Sequence, residues 1–362
     1  MTSEPEILAS SSGMKAHTLN STHLGCREEV ADKLARALAE RADGIVYDDE
    51  NLTVGEYLDS WLKGSVRGSV RQSTFDRYEI AVRVHIKPAL GRLRLKKLTS
   101  ARLASFYQDR LDARFAAASV YKLHVVLHKA LDQAVRWHMV PRNVAGLAKA
   151  PRPSATKEIS PLSAEEARRL LEAAHGDRLE ALYVLAVHTG MRQGELLALK
   201  WQDVDLENAT LSVRRTITKS GGRLLLGEPK TRKSRRTIDL TEASVEALRE
   251  HLARQTEEIT ILGDRYKDAG LVFTSEVGTL INPTNLRRRS FASLLEKAKV
   301  PRVRFHDLRH TCATLLFSHN VHPKEVQELL GHANISITLD TYSHVIPGMR
   351  DRAARAMEDA LS

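Results

Sequence analysis

The chain has very little cysteine and no long apolar run. Cys26 and Cys312 are the two thiols among its 362 residues, and a pair so far apart in sequence cannot build the disulfide framework of a small secreted domain. No stretch approaches the ~20 consecutive apolar residues that a membrane-spanning helix needs. The N-terminus also lacks a hydrophobic run preceded by positive charge, which a secretory leader would have. These absences predict a cytoplasmic protein with no membrane partner.

Motifs for common cofactors are missing as well. The sequence has no glycine-rich P-loop ending in lysine, no group of Asp and Glu residues spaced for magnesium, and too few cysteines for a thiolate metal site. We therefore expect the protein to use no cofactor and no metal ion.

Positive charge is in excess. Lysine and arginine number 55 against 45 acidic residues, which gives a formal net charge of +10. Such a charge favours a polyanionic partner such as DNA or RNA, because counterion release contributes to affinity. An ordinary basic protein would have the same composition, so the motifs must decide between the two. At this length, with 42% hydrophobic residues, the chain can bury a core in each of two or three domains.

Apolar periodicity predicts a mainly α fold. Val54, Tyr57, Leu58, Trp61 and Leu62, for example, recur at the spacing of one helix face. The predicted organisation is a flexible tail (1–26), a helical leader (27–50), a helical domain (51–147), a proline-containing linker (148–160), a second, mostly helical domain (161–346) and a C-terminal amphipathic helix (347–362).

The second domain should also contain a small antiparallel β-sheet. Ser163 and Glu166 form a capping box that predicts helices over roughly 163–175 and 178–189. After them, apolar and polar residues alternate through 209–240 around a turn at 220–222, which is typical of a hairpin. The predicted fold is therefore mainly α, with one small sheet.

The chemistry is concentrated in five short segments. They read TGMRQGEL, PKTRKSRRTI, HDLRH, LGH and DTYSH, and they contain in order Arg192, Lys230, His306 with Arg309, His332, and Tyr342. Two arginines can grip the non-bridging oxygens of a phosphodiester and stabilise the charge of its transition state. A tyrosine that attacks phosphorus needs a base, and the expelled alkoxide needs an acid; His306 and Lys230 suit these tasks.

In this order, the segments resemble the tyrosine recombinase family, the phage integrase type of site-specific recombinase, over roughly residues 52 to 346. The family's six functional positions are Arg, Lys, His, Arg, His and Tyr. The resemblance implies that Arg192 and Arg309 clamp the phosphate, Lys230 protonates the departing 5′-oxygen, and His306 assists proton removal from Tyr342. It also implies that His332 hydrogen-bonds the phosphate. Glu195, one turn after Arg192, would orient that arginine.

Further expectations follow from the resemblance. The helical domain at 51–147 would bind core DNA, and the domain at 161–346 would be catalytic. The product would be a 3′-phosphotyrosine with a free 5′-hydroxyl, formed without ATP or metal. The family acts as a homo-tetramer on two double-stranded DNA sites of the attachment type, often with accessory DNA-bending or directionality proteins, to integrate or excise a phage or mobile element.

Several alternatives stay open at this level. Lys233 competes with Lys230, and His310 is expected to point elsewhere and to be structural. The leader at 27–50 is either the remnant of an arm-binding domain or a plain helix, and the C-terminal helix packs on its own chain or on a neighbouring protomer. Competing functions are a catalytically silent DNA-binding relative, a type IB topoisomerase and a helical RNA-binding or regulatory protein.

Overall fold

The computed structural model describes residues 51–152, 160–228, 235–342, 357–359 and 361. The predicted tail and leader, most of the linker, Lys230, Lys233 and most of the C-terminal helix lie outside the described residues. The described chain is mainly α-helical with a small antiparallel sheet, as predicted.

The chain divides into two compact units. The first contains the described residues 51–65 and 81–152, and the second contains 66–80 and the described residues from 160 onward. The domain boundaries read from the sequence remain a prediction.

Helices account for the regular structure before the linker. The α-helices are α1 (Val54–Trp61), α2 (Gln72–Ile80), α3 (Lys87–Leu90), α4 (Ser100–Asp112) and α5 (Ala117–Arg136). Helix α1 begins with a capping box formed by Thr53 and Glu56. Its predicted packing face is confirmed, because Val54, Tyr57, Leu58 and Trp61 are all buried.

After the linker, the second unit continues with two predicted helices. Helices α6 (Ala164–Ala174) and α7 (Glu180–Thr189) confirm the expected positions, and the Ser163–Glu166 capping box is present. The remaining α-helices of the described chain are α8 (Gln193–Leu196), α9 (Glu242–Leu262), α10 (Pro283–Asn285), α11 (Ala292–Lys297), α12 (Asp307–Ser318), α13 (Pro323–Leu330) and α14 (Ile335–Tyr342).

Five short strands lie between α8 and α9. They are β1 (Val204–Asp205), β2 (Thr210–Val213), β3 (Thr216–Ser220), β4 (Arg223–Gly227) and β5 (Arg236–Asp239). Strands β3 and β4 form the predicted hairpin, and β2 pairs antiparallel with both β1 and β5. The β2–β5 register places Arg236 opposite Val213.

In the part of the second unit that follows the linker, apolar burial forms one large core and one small cluster around the last helices. Helix α7 lies in the large core, and most of its residues are buried. The small cluster contains Ala313 and Phe317 of α12, Val326 and Leu330 of α13, and Tyr342 of α14. This packing fixes the position of Tyr342 relative to α12. Within the described ranges, every helix is too short or too polar to cross a membrane.

Candidate active site

A left-handed glycine sets the entry to the site. Helix α7 ends at Gly190, whose φ is +59°, and a Cβ there would lie 2.5 Å from Cδ2 of Leu330. Glycine is therefore required both by conformation and by space. The turn places Arg192 directly before the short helix α8, as its N-cap residue, and leaves the Gly190 carbonyl facing α12.

Glu195 holds two arginines. Its carboxylate accepts hydrogen bonds from Nη1 of Arg192 at 2.8 Å and from Nη2 of Arg236 at 3.1 Å, and its side chain is 3% exposed. Burial alone would raise the pKa of Glu195, but the charges of Arg236 and Arg192 outweigh burial and lower it. The carboxylate is therefore ionised, and the predicted contact between Glu195 and Arg192 is confirmed.

Arg236, which was not singled out in the sequence, connects α8 to the loop before His332. Its side chain is 7% exposed and donates from Nε to the carbonyl of Leu329. Its guanidinium also lies against Gly331, where a Cβ would be 2.9 Å from Nη1 of Arg236. Because several other arginines and lysines precede Arg236 in the same segment, its type alone gave no signal.

Arg309 lies deeper and makes fewer contacts. It is 3% exposed and donates from Nη1 to the Gly190 carbonyl at 2.8 Å, whereas its buried Nη2 has no hydrogen-bond partner among the described residues. Burial, followed by the charges of Arg192 and Arg236, lowers the pKa of Arg309 to about 9. The group is still charged at neutral pH, with a donor unfilled.

The two predicted histidines are neutral at physiological pH. His332 is half-buried and shares a hydrogen bond of 2.7 Å between its Nδ1 and Oγ1 of Thr338. Burial and the charges of Arg309, Arg192 and Arg236 lower the pKa of His332 to about 3. His306, the N-cap residue of α12, has its pKa lowered by desolvation and then by His310, Arg309 and Arg192. These influences place both imidazoles close to the arginines.

Tyr342 is buried against α12. It is 2% exposed, its ring packs on Phe317 with centroids 5.8 Å apart, and burial raises its pKa to about 12. Its hydroxyl forms a hydrogen bond of 2.6 Å with Nδ1 of His310. The expectation that His310 points elsewhere is therefore wrong. His310 is four residues after His306, a spacing that also brings two side chains together on a helix, and their ring centroids are 5.2 Å apart.

The second unit thus brings five of the six predicted residues into one neighbourhood. Arg192 donates to the Gly331 carbonyl, next to His332, at 3.4 Å. His310 contacts both His306 and Tyr342, and the charge of Arg309 lowers its pKa. The sixth, Lys230, lies outside the described residues, so its place in the site stays a prediction.

The Arg236–Glu195 pair gives a stability prediction with a matched control. Arg236→Met should lower the free energy of unfolding by about 3 kcal/mol, because removing one partner leaves a buried carboxylate undercompensated. Arg235→Met removes the neighbouring arginine, which pairs with Glu228 through two exposed side chains. This control should change the free energy of unfolding by less than about 1 kcal/mol. Urea denaturation of both variants measures the difference. Equal effects would contradict a supporting role for Arg236.

Comparison with known proteins gives a consistent result over both units. A family model described as "Phage integrase family" matches residues 161–348, and one described as "Phage integrase, N-terminal SAM-like domain" matches residues 53–111. A protein named tyrosine recombinase XerC-like, from Caldanaerobacter subterraneus subsp. tengcongensis, is 34% identical over 351 residues, covering 92% of this chain and 90% of that protein.

Solved structures share the fold. The integrase of transposon Tn1549, in complex with transposon right end DNA, matches with a TM-score of 0.72 at 22% identity and covers 86% of this chain and 100% of that one. A lambda integrase tetramer bound to a Holliday junction matches with a TM-score of 0.59 at 20% identity and covers 87% of each chain. The chain therefore belongs to the phage integrase family, the tyrosine recombinases, which are enzymes that cleave and rejoin DNA.

Proposed function

We propose that this enzyme is a site-specific recombinase that cuts DNA through a 3′-phosphotyrosine at Tyr342 and integrates or excises a phage or other mobile element. The observation that carries the proposal is a cluster of cationic side chains, with fewer anionic partners than cations, beside a tyrosine. Three guanidinium groups, those of Arg192, Arg236 and Arg309, influence one another, and the carboxylate of Glu195 pairs with Arg192 and Arg236 but not with Arg309.

The surplus charge suits a phosphodiester. Glu195 already pairs with Arg192 and Arg236, whereas Arg309 has a buried Nη2 with no partner among the described residues. A non-bridging phosphate oxygen would supply the missing acceptor. As the transition state gathers charge on those oxygens, the two clamping arginines, Arg192 and Arg309, would bind it more tightly than the ground state.

The neutral histidines would complete the grip without adding charge. With Nδ1 of His332 engaged by Thr338, its Nε2 is the ring nitrogen left to donate to a phosphate oxygen. His306 is near enough to Arg309 and Arg192 for their charges to lower its pKa, and it would hydrogen-bond the phosphate or the reacting oxygens. Both residues therefore belong to the proposed catalytic set.

The chemistry would need no external energy source. Attack by Oη of Tyr342 would exchange one phosphodiester for another and release a 5′-hydroxyl, so the bond energy would be kept for the joining step. The leaving 5′-oxygen needs an acid, which the family pattern assigns to Lys230, with Lys233 as the alternative.

The partners proposed for this chain are double-stranded DNA sites of the attachment type and three further copies of itself, with accessory DNA-bending proteins. The relatives support this proposal: the Tn1549 enzyme was solved on transposon end DNA and lambda integrase as a tetramer on a Holliday junction. The net charge of +10 favours the same partner.

A trapping experiment tests the proposal. A duplex recovered from a randomised pool by its binding to this protein is nicked near the bound centre, so that cleavage loses a short fragment and cannot reverse. We expect a covalent adduct on a denaturing gel, attached to the 3′ side of the break and located by mass spectrometry on the peptide containing Tyr342. Specific binding without any adduct would favour a catalytically silent relative, and relaxation of any supercoiled DNA by a monomer would favour a type IB topoisomerase.

A further inference from the structure

The partner of the Tyr342 hydroxyl is a histidine outside the six family positions. Among the described residues, Nδ1 of His310 is the atom that hydrogen-bonds Oη of Tyr342, at 2.6 Å. The two residues come from different helices, and the aromatic packing of Tyr342 on Phe317 holds the phenol in register with α12. The contact is therefore built by the fold rather than by an exposed side chain meeting another by chance.

From this geometry we infer that His310 is the base that accepts the phenolic proton of Tyr342 during strand cleavage. The inference rests on the proposed phosphotyrosine chemistry. The family pattern gives this task to His306, but His306 contacts His310 and not the phenol. The rings of His306 and His310 pack edge-on with centroids 5.2 Å apart, and no hydrogen bond joins His306 to Tyr342 among the described residues.

The protonation state of His310 agrees with that task. Burial of the ring lowers its pKa, so the imidazole is neutral at physiological pH and one ring nitrogen has a free lone pair. Tyr342, whose pKa is raised to about 12 by burial, keeps its proton until attack begins. A neutral acceptor at hydrogen-bond distance from a protonated nucleophile is what general-base catalysis requires.

Charged neighbours stabilise or destabilise the imidazolium that His310 becomes when it accepts the proton. Asp307 favours it, and Arg304 holds that carboxylate in place with a contact of 2.7 Å from Nη2 to Oδ1. Arg304 and Arg309 disfavour it through their own positive charge. A phosphodiester bound to Arg309 would offset that arginine's charge, so proton transfer would become easier when the DNA is in place.

The proposed cleavage step moves two protons and exchanges one bond to phosphorus for another. Oη of Tyr342 bonds to phosphorus while its proton passes to Nδ1 of His310, and the bond from phosphorus to the 5′-oxygen breaks. The 5′-oxygen takes a proton from a separate acid, which we place at Lys230. In the joining step a 5′-hydroxyl attacks the phosphotyrosine and passes its proton to the acid that was deprotonated during cleavage. The bond from phosphorus to Oη of Tyr342 breaks, and His310 returns its proton to Oη.

The test measures single-turnover adduct formation on the nicked, selected duplex between pH 5 and pH 10. Four proteins are compared: wild type, His310→Gln, His306→Gln and His319→Gln. His319 is the exposed residue that ends α12 and serves as the matched control, with wild-type behaviour expected. Thermal unfolding and binding of the same duplex show that each variant is folded.

We expect His310→Gln to slow adduct formation at neutral pH by roughly 10²-fold or more. In the wild type the rate should fall as acid protonates His310, below the usual histidine range, because its pKa is lowered. His310→Gln should lose this acid limb and recover rate as pH rises, since the phenol then ionises without help. His306→Gln should be slow but keep the limb.

Chemical rescue separates a base from a structural support. In His310→Ala, added imidazole should restore adduct formation, and substituted imidazoles should do so in order of basicity. A slow His310→Ala variant that is insensitive to imidazole basicity would overturn the inference, as would a His310→Gln variant with the rate and pH profile of the wild type. Absence of an adduct with every protein, including wild type, would instead overturn the proposed function, and the inference with it.

Discussion

Tyr342→Phe should abolish the covalent protein–DNA intermediate while leaving the folded protein able to bind its DNA site. The substitution removes the single atom, Oη, that we propose bonds to phosphorus. The ring remains, so its packing in the cluster with Phe317, Val326 and Leu330 is retained. The fold loses one hydrogen bond, the contact with His310, which costs about 1 kcal/mol. Activity should therefore fall below detection, and stability should change little.

Tyr183→Phe provides the matched control. Tyr183 is fully buried and donates or accepts one hydrogen bond of 2.6 Å with Oγ of Ser290, in the core of the same unit and outside the proposed site. Both substitutions remove one buried phenolic oxygen with one partner. A denaturing gel with the nicked duplex should show adducts for wild type and Tyr183→Phe and none for Tyr342→Phe. An adduct formed by Tyr342→Phe would move the nucleophile elsewhere, and loss of binding in that variant would make the residue structural.

Local signals in the sequence predicted the elements that depend on neighbouring residues. The Ser163–Glu166 capping box begins a helix because both partners lie within one turn. The β3–β4 hairpin follows from two glycines, Gly221 and Gly222, with positive φ at its turn. Gly331 ends α13 in the left-handed conformation, which favours glycine. Each of these features is fixed by residues a few positions apart.

Contacts between residues far apart in the sequence could not be predicted from such local signals. Arg236 meets Glu195 across 41 positions, because β5 pairs with β2 and not with its sequence neighbour β4. His310 meets Tyr342 across 32 positions, because three short helices pack around one small cluster. Family resemblance predicted which residue types gather in the site, since these carry the chemistry. Apart from Glu195, which lies one turn from Arg192, it did not predict the residues that hold them, since these depend on strand order and helix packing.

The second large effect concerns Arg309, where we expect activity and stability to separate. Arg309→Met should slow adduct formation by at least about 10²–10³-fold, the range seen when one preorganised donor to a transition-state oxyanion is removed. Methionine retains much of the side-chain volume but supplies neither charge nor donor. The measurement is the single-turnover rate on the nicked duplex, alongside a filter or mobility assay showing how much DNA is bound.

The stability of Arg309→Met should not fall with its activity. Arg309 is buried beside two other arginines, and its pKa of about 9 means that the folded protein disfavours its charge. Replacing a buried ion pair by well-packed apolar residues is often neutral or gains about 1–4 kcal/mol in other proteins, and removing a buried arginine that lacks a direct carboxylate partner should act in the same direction. Losing the hydrogen bond to the Gly190 carbonyl costs about 1–3 kcal/mol against that gain. We therefore expect the free energy of unfolding to be unchanged or higher.

Arg236→Met makes the comparison sharp, because it is the same substitution in the same site. Arg236 has a carboxylate partner in Glu195, so its removal should destabilise, whereas Arg309 lacks a direct one and its removal should not. Phosphate or sulfate should raise the melting temperature of the wild type and of Arg236→Met, but not that of Arg309→Met, if the unfilled Nη2 is the anion's donor. Arg309→Met could instead lose much of its stability and still gain melting temperature with phosphate or sulfate. That result would show that Arg309 has a structural role and that other residues bind the phosphate. Unchanged stability in Arg309→Met, together with loss of the anion stabilisation, would mean that the fold keeps an unfavourable buried charge because the scissile phosphate is its missing partner.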